Sequence, residues 1–438
     1  VTGGPDADRL PAIAPALRRA AGRFGTPAYV TDVAALDAAA AAVRTAFPDP
    51  WLRHYSVKAN DVAAIVRLVS ERGFGANVVS RGEWEVARRA GLPNERITLE
   101  GIGKTDADLR AAVGAARDGR PPGWIAIESV DEAAALARIA GGARSVPLDV
   151  LFRLNPDVAP ETHRGLAVGA GGSKFGMTET EMAAAIEAAT SGESATRRLR
   201  PRGIHVHVGS QLGAVDAWRD AVRRGLALLA LLRGTLPDFD TLDLGGGFPV
   251  APVGGAAPDP ARFAREVGPL LEAIPEDRRP RRLAIEPGRY VVARSGWLVA
   301  RVLHVRERAG RQVVIDAGMT ELIRPALYGA HHGIVALTSL GRPFEDWTER
   351  GRPGLEPGHP GVEPTRVEGP ICESTDALGD HLLPAVRRGD LVAVRDAGAY
   401  GASLASTYNG RPRPPQVLLA QDGALTLARR RGSVGSLG

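Results

Sequence analysis

The chain has 438 residues, more than a single hydrophobic core usually serves, so two domains are expected. Its 44% hydrophobic and 24% charged content is ordinary for a globular protein, and the formal charge of +5 comes from arginines scattered among 50 acidic residues, which gives no basic block for nucleic acid. A single cysteine excludes an internal disulfide, no apolar run is long enough to span a membrane, and the stretch VTGGPDADRLPAIAPALRR lacks the apolar centre of a signal peptide, so the cytoplasm is the expected location.

From about residue 50, short β-rich runs ending in polar or glycine residues alternate with Ala/Arg/Glu-rich amphipathic segments. The strand-like runs are HYSVKA, GANVVS, RITLEG, WIAIES, DVLFRLN, GIHVHVGS, TLDLGGG and RLAIEPGR. Between them, DVAAIVRLVSERG, RGEWEVARRAG, DADLRAAVGAARDG, VDEAAALARIAGG and AVDAWRDAVRRGLALLALLRG carry apolar residues at helical spacing. Eight such units predict an α/β fold of the (β/α)8 barrel type over residues 36–295. After that, WLVARVLHVRE, RQVVIDAG, GIVALTSL, LVAVRDAG and PQVLLAQDGALTLARR read as strands with few helices between them, so 296–438 together with 1–35 is expected to form a mostly-β domain. The Pro/Gly-rich run 341–365 reads as a long excursion.

Lysine is almost absent: 55 Lys+Arg include only Lys58, Lys104 and Lys174. Arginine replaces lysine well on a surface but cannot act as an amine nucleophile, so a lysine closing the first barrel strand invites a chemical reading. Barrel enzymes work at the carboxyl ends of their strands, and the unusual residues fall there. Lys58 ends the first run, His205 and His207 lie on the sixth, Gly245, Gly246 and Gly247 follow the seventh, and Glu286 to Arg289 follow the eighth. Each also has a plain structural explanation: an inward salt bridge for Lys58, a hydrogen-bonded core histidine for His207, a tight turn for the glycines. Taken together they describe a socket for pyridoxal phosphate, with an amine for its aldehyde, glycine amides and Arg289 for its phosphate, and Glu286 for its pyridine nitrogen.

In order, HYSVKAN, GIHVHVGSQ, LDLGGGF, EPGR, GPICESTD and DAGAYG resemble the motifs of the fold type III pyridoxal-phosphate decarboxylases, the family of diaminopimelate and ornithine decarboxylases, over about residues 25–420. The resemblance implies that Lys58 is the Schiff-base lysine and that His207 stacks on the cofactor ring. It implies that Ser210, Gly245, Gly246, Gly247, Gly288, Arg289 and Tyr400 surround the phosphate, and that Glu286 meets the pyridine nitrogen. It further implies a homodimer with shared active sites, in which Cys372, Glu373 and Ser374 enter the partner's site. For the cysteine itself, a small buried hydrophobe is the plain alternative. Lys174 could meet Asp376 across that interface, and Lys104 is read as a structural ion pair.

The stretch LIRPALYGAHH resembles the part of diaminopimelate decarboxylases that holds the substrate's far carboxylate, through Arg324 and Tyr328, with Arg289 and Tyr400 also bordering the substrate and Glu373 receiving its distal ammonium. EPGRY and GGGFP lean instead to the ornithine branch, and Asn77 and Arg81 stand where aspartate and glycine are usual. The expected activity is decarboxylation of meso-2,6-diaminopimelate to L-lysine, for lysine biosynthesis. The alternative is a paralogue acting on another, even carrier-tethered, amino acid. A non-catalytic relative is disfavoured by the joint presence of Lys58, His207, Glu286 and Cys372, and a racemase by the CES segment. No metal is expected.

Overall fold

All eight strand-like runs form barrel strands in the computed structural model, which describes residues 9–141, 147–170, 172–190, 198–251, 255–345 and 362–436. In chain order the first strand is β1 (Ala28–Asp32). The next eight are β2 (Leu52–Ser56), β3 (Gly75–Val78), β4 (Ile97–Leu99), β5 (Trp124–Ile127), β6 (Leu148–Leu154), β7 (Leu199–Val206), β8 (Thr241–Asp243) and β9 (Arg282–Ile285), which pair in parallel and close into a barrel. The closing pair sets Leu52 opposite Ala284 and Arg53 opposite Ile285. These strands read as continuous apolar runs because helices cover their outer faces while side chains fill the inside, leaving no water-facing side to impose alternation.

The helices follow local chemistry. Ser80 accepts the Glu83 amide at the start of helix Arg81–Arg89, and Thr105 and Asp108 form a reciprocal cap on helix Asp106–Arg117. Two further helices, Glu179–Thr190 and Pro260–Glu272, complete the outer layer without having been read from the sequence. The first is rich in alanine and weakly patterned, whereas the second has an inward face with Phe263 and Val267 but carries Pro260 and Pro269, which read as helix breakers.

The remaining strands are β10 (Gly296–Glu307), β11 (Arg311–Ile315), β12 (Ile334–Ala336), β13 (Thr338–Ser339), β14 (Arg342–Pro343), β15 (Val362–Glu368), β16 (Ala377–Pro384), β17 (Leu391–Val394), β18 (Gln416–Leu419) and β19 (Leu425–Arg429). All but β13 and β14, which pair with each other, join β1 in a sheet ordered β16-β15-β11-β10-β1-β18-β19, with β17 joining β10 to β12. The long β10 changes partners at a bulge between Val302 and His304. Helix Leu10–Phe24 buries Leu10, Ile13 and Leu17 against Val30, Trp297 and Val299, each such fully buried leucine contributing about 1.5–3 kcal/mol. Asp32 fixes the approach to this helix by accepting two hydrogen bonds of 2.8 Å from Arg9.

The chain divides into two compact units, one of Ala40–Pro249 and Ala257–Gly288 and the other of Val1–Ala39, Val250–Ala256 and Arg289–Gly438. The excursion read over 341–365 ends earlier than expected, because Val362, Thr365 and Val367 turn inward in β15. Its centre, residues 346–361, lies outside the described residues. Among the described residues no helix is long and apolar enough to cross a membrane.

One glycine governs how β7 and β8 meet. A methyl group on Gly203 would stand 2.6 Å from the carbonyl carbon and 3.0 Å from the Cα of Thr241, and backbone on both sides cannot move aside. Gly203→Ala should therefore lower stability by about 1–3 kcal/mol or more. Comparison of urea midpoints measures this, and an unchanged midpoint would contradict the close approach of the two strands.

Candidate active site

Polar side chains gather just past the ends of the barrel strands. Lys58 occupies the single turn Val57–Ala59 after β2, partly exposed between two buried neighbours. Among the described residues its ammonium has no hydrogen bond or ion pair, although it acts on His207 and Glu83 at longer range. The turn is tied to the end of β9. The Ser56 hydroxyl donates to the Glu286 carbonyl at 3.1 Å, and the Ser56 amide donates to the Pro287 carbonyl at 3.2 Å. Gly288 lies so close that a Cβ there would be 3.0 Å from that of Ser56 and 3.2 Å from that of Ala59.

His207 stands one residue beyond β7. Its Nδ1 accepts the Gly246 amide at 3.1 Å, so the neutral ring carries its proton on Nε2. Burial, then the Lys58, Arg153 and His205 charges, hold its pKa well below the usual value. The glycine run makes this contact possible. Gly245 and Gly247 have φ of 65° and 107°, where a side chain is strained. A Cβ on Gly245 would come within 2.7 Å of His207 Nδ1, and one on Gly246 within 2.5 Å of the Glu286 carbonyl oxygen. Two of the three amides expected to face a phosphate are engaged locally, since Gly245 donates to Asp243 at 2.9 Å and Gly246 to His207. Ser210 follows on the next turn, where its amide donates to the Leu166 carbonyl at 3.2 Å.

Beneath these groups lies a buried acidic cluster. The Glu286 Oε1 accepts the Asn77 side-chain amide, and its Oε2 is 3.5 Å from His205 Nε2. Glu100, at the end of β4, accepts the Trp124 indole N–H at 3.3 Å and approaches His205 Nε2 at 3.7 Å. Asp243 is fully buried at the end of β8. Burial and the Glu286 charge push the Glu100 carboxyl up to about 7 and the Asp243 carboxyl well above its usual range. Burial pushes His205 down to about 4. Sequence reading missed Glu100 and Asp243, although an acid closing an inward-facing apolar strand is a signal that could have found them.

The other predicted residues belong to the β-rich unit. The Arg289 guanidinium lies 4.7 Å from the Tyr400 ring centroid, and Tyr400 adopts the left-handed φ of 58°. Arg324 begins helix Arg324–Tyr328 and is buried. Its Nη1 is 3.4 Å from His332 Nε2, while His332 Nδ1 lies 2.9 Å from the Arg395 carbonyl. A carbonyl only accepts, so Nδ1 carries the His332 proton and Nε2 is left to accept from Arg324. Burial, then the Arg324 charge, push His332 down to about 4. Arg324 therefore faces a neutral partner, and its Nε has none. Burial, then Arg289, lower its own pKa to about 10.

Cys372, a buried hydrophobe on the plain reading, is exposed and free. Its loop is pinned from within, because the Asp376 carboxylate accepts the Met319 amide at 2.5 Å and the Ile371 amide at 2.7 Å. Asp376 is 4% exposed within its own chain. Glu373 is exposed and accepts from the Tyr408 hydroxyl at 2.6 Å. Lys104 is the structural ion pair expected, 3.0 Å from Glu132 with no exposed side-chain surface. Lys174 instead borders a cavity of about 640 Å³ with Glu128, Asp131, Asp157 and Glu181. Arg81 is exposed at the first position of its helix.

The residues fit pyridoxal phosphate. The amine of Lys58 is not consumed by an ion pair among the described residues, Glu286 offers a buried carboxyl able to pair with a ring nitrogen, and the glycine run leaves no side chain to fill a cradle. Residues 33–293 match the family model described as pyridoxal-dependent decarboxylase, pyridoxal binding domain. The diaminopimelate decarboxylase of Aquifex aeolicus is 35% identical over 420 residues, covering 95% of this chain and 91% of that protein. That of Archaeoglobus fulgidus is 34% identical over 416 residues, covering 94% and 92%. Among solved structures, the diaminopimelate decarboxylase of Helicobacter pylori complexed with L-lysine superposes with a TM-score of 0.83 at 29% identity, covering 96% of this chain and 98% of that one. The closed barrel, the match to this family model and the near full-length similarity lead to one conclusion: the chain belongs to the pyridoxal-dependent decarboxylases.

Proposed function

We propose that this chain decarboxylates meso-2,6-diaminopimelate to L-lysine and CO2, as a cytoplasmic homodimer. The observation that carries the substrate is Arg324. A buried guanidinium with a neutral partner, an unpartnered Nε and a second cation close enough to lower its pKa calls for an anion. A diaminopimelate has a carboxylate at the end remote from the reaction, whereas lysine and ornithine do not. The relatives named above act in the same direction.

When bound, pyridoxal phosphate takes up the substrate's α-amino group covalently and accepts the electron pair left as CO2 departs. Lys58 holds the cofactor between turnovers through its amine. Glu286, held by Asn77, would pair with the pyridine nitrogen. The neutral His207 ring, oriented by the Gly246 amide, would stack on the cofactor. Ser210, Gly245, Gly246, Gly247 and Gly288 give the phosphate a wall free of bulky side chains, with Arg289 supplying charge and Tyr400 a hydroxyl. Arg324 and Tyr328 hold the far carboxylate, Arg289 and Tyr400 border the substrate, and Glu373 takes the distal ammonium. Decarboxylation must return one proton to the carbon that loses CO2, and the exposed thiol of Cys372, entering the partner's site, is a group able to carry it. A cysteine kept as thiol suits the cytoplasm.

Borohydride reduction of the holoenzyme followed by peptide mapping should place the pyridoxyl group on Lys58, and Lys58→Ala should abolish turnover because arginine cannot substitute for the amine. A label on Lys104 or Lys174 would overturn the assignment. Cys372→Ala should bind cofactor but lose activity, and mixing it with Lys58→Ala under subunit exchange should restore part, since each hybrid assembles one intact site. No recovery would exclude shared sites.

The substrate is tested on meso-, LL- and DD-diaminopimelate, lysine and ornithine, scored by CO2 release. A charge-assisted hydrogen bond contributes about 1.5–3 kcal/mol, so Arg324→Ala should reduce turnover of the meso isomer roughly tenfold to a hundredfold while cofactor binding persists. A yellow protein that ignores every free diaminopimelate isomer would point to the paralogue with another substrate.

A further inference from the structure

Glu100 has no part in the reading above, yet it is among the most buried charged groups of the barrel, with a side chain 3% exposed. Its donor atoms and those of His205 and Glu286 all lie within 4.8 Å of one another. Each of the two glutamates has one oxygen tied to a neutral donor. Trp124 donates to Glu100 Oε1, and Asn77 donates to Glu286 Oε1. Their Oε2 atoms converge on His205 Nε2, at 3.7 and 3.5 Å. Asp243 adds a third buried carboxyl, with Oδ1 on the Gly245 amide and Oδ2 without a partner. Among the described residues none of the three carboxyls has a lysine or arginine ion pair. Three charged carboxylates so close together in a dry site would repel one another strongly without compensation, so protons must be retained.

We propose that Glu100 is a positioning residue: Glu100 and Asp243 are held as neutral acids that donate toward Glu286, so that three buried carboxyls carry a single negative charge. His205 is not the proton's holder, since burial pushes its pKa to about 4. Burial, then the Glu286 charge, push Glu100 up to about 7 and hold Asp243 well above its usual range. The groups that face Glu100 come from the whole ring of strands: Asn77 on β3, Trp124 on β5, His205 on β7, Asp243 on β8, Glu286 beyond β9 and His54 on β2. The cations that act here through His205 are Arg153, itself paired with Glu128, and Lys58. One negative charge on the cluster matches the one positive charge of a protonated pyridine nitrogen. That consequence rests on the assignment of Glu286 given above, while the shared proton does not.

Infrared difference spectra of the holoenzyme between about pH 5.5 and pH 8.5 read the buried acid directly through its protonated carboxyl band. The wild type should lose one such band with a midpoint near neutrality. Glu100→Gln, which keeps the shape and a donor toward Glu286, should lack the titrating band, and Glu100→Asp should retain it at a displaced pH. A titrating band unchanged in Glu100→Gln overturns the proposal, as does a wild type with no titrating buried carboxyl. A stoichiometric divalent cation by elemental analysis also overturns it, because the metal would then stand where the proton is assigned. The cofactor's visible absorption, recorded on the same samples, should shift with pH in the wild type and not in Glu100→Gln. If the carboxyl behaves as stated but the absorption is indifferent to pH and to the substitution, the proton-sharing cluster stands and the placement of Glu286 at the ring nitrogen falls.

Discussion

Barrel closure between β2 and β9 is the constraint on which the rest depends, because it joins residues more than two hundred positions apart in the chain. Leu52 and Arg53 pair with Ala284 and Ile285, and the contact continues past the strands through Ser56, Glu286, Pro287 and Gly288. Lys58 rides on one side of this seam and Glu286 on the other. An amine and an acid separated in this way can be held in fixed relation only if the backbone between them is rigid, and two hydrogen bonds plus a glycine pressed against Ala59 supply that rigidity. A side chain at 288 would press on Ser56 and Ala59, the residues on either side of the Val57–Lys58 step.

The charges are divided between the two units. The barrel interior gathers carboxyls and neutral histidines: Glu100, Asp243 and Glu286 around His205, with His207 above them. The β-rich unit carries the desolvated cations, Arg289 against Tyr400 and Arg324 against His332. Both arrangements cost stability, since burial disfavours the charged form in each case. Such groups persist where ligands complete them. A cofactor with a basic ring nitrogen suits the first set, and a substrate with a second carboxylate suits the second.

Much of the barrel was legible in the sequence because the relevant signals are local. Buried parallel strands read as apolar runs, and the polar residues near their carboxyl ends, Lys58, His207 and Glu286, stand out against them. The β-rich unit was less legible. β15 hid in a Pro/Gly-rich stretch, β16 carries Gly379, Asp380 and His381 in its middle, and β1 lies far in sequence from its partners β10 and β18. Glu100 and Asp243 escaped because an isolated acid at a strand end looks like any solvated residue. Only the closed barrel shows that three such acids, from β4, β8 and the end of β9, share one dry space.

The scarcity of lysine gains a physical meaning once the three are placed. Lys104 sits with no exposed side-chain surface between Glu132 and the Gly101 carbonyl, a slot for a compact ammonium that a planar guanidinium would overfill. Lys58 lies in a turn whose flanking residues are buried, with no carboxylate paired to it among the described residues, a position where arginine would bring a permanent charge and no nucleophile. Lys174 is exposed beside an acidic cavity, and nothing in its surroundings requires lysine over arginine. Rarity alone therefore does not mark a position as closed to arginine. It takes the environment of each amine to separate one left without an ion pair among the described residues from one kept for fit.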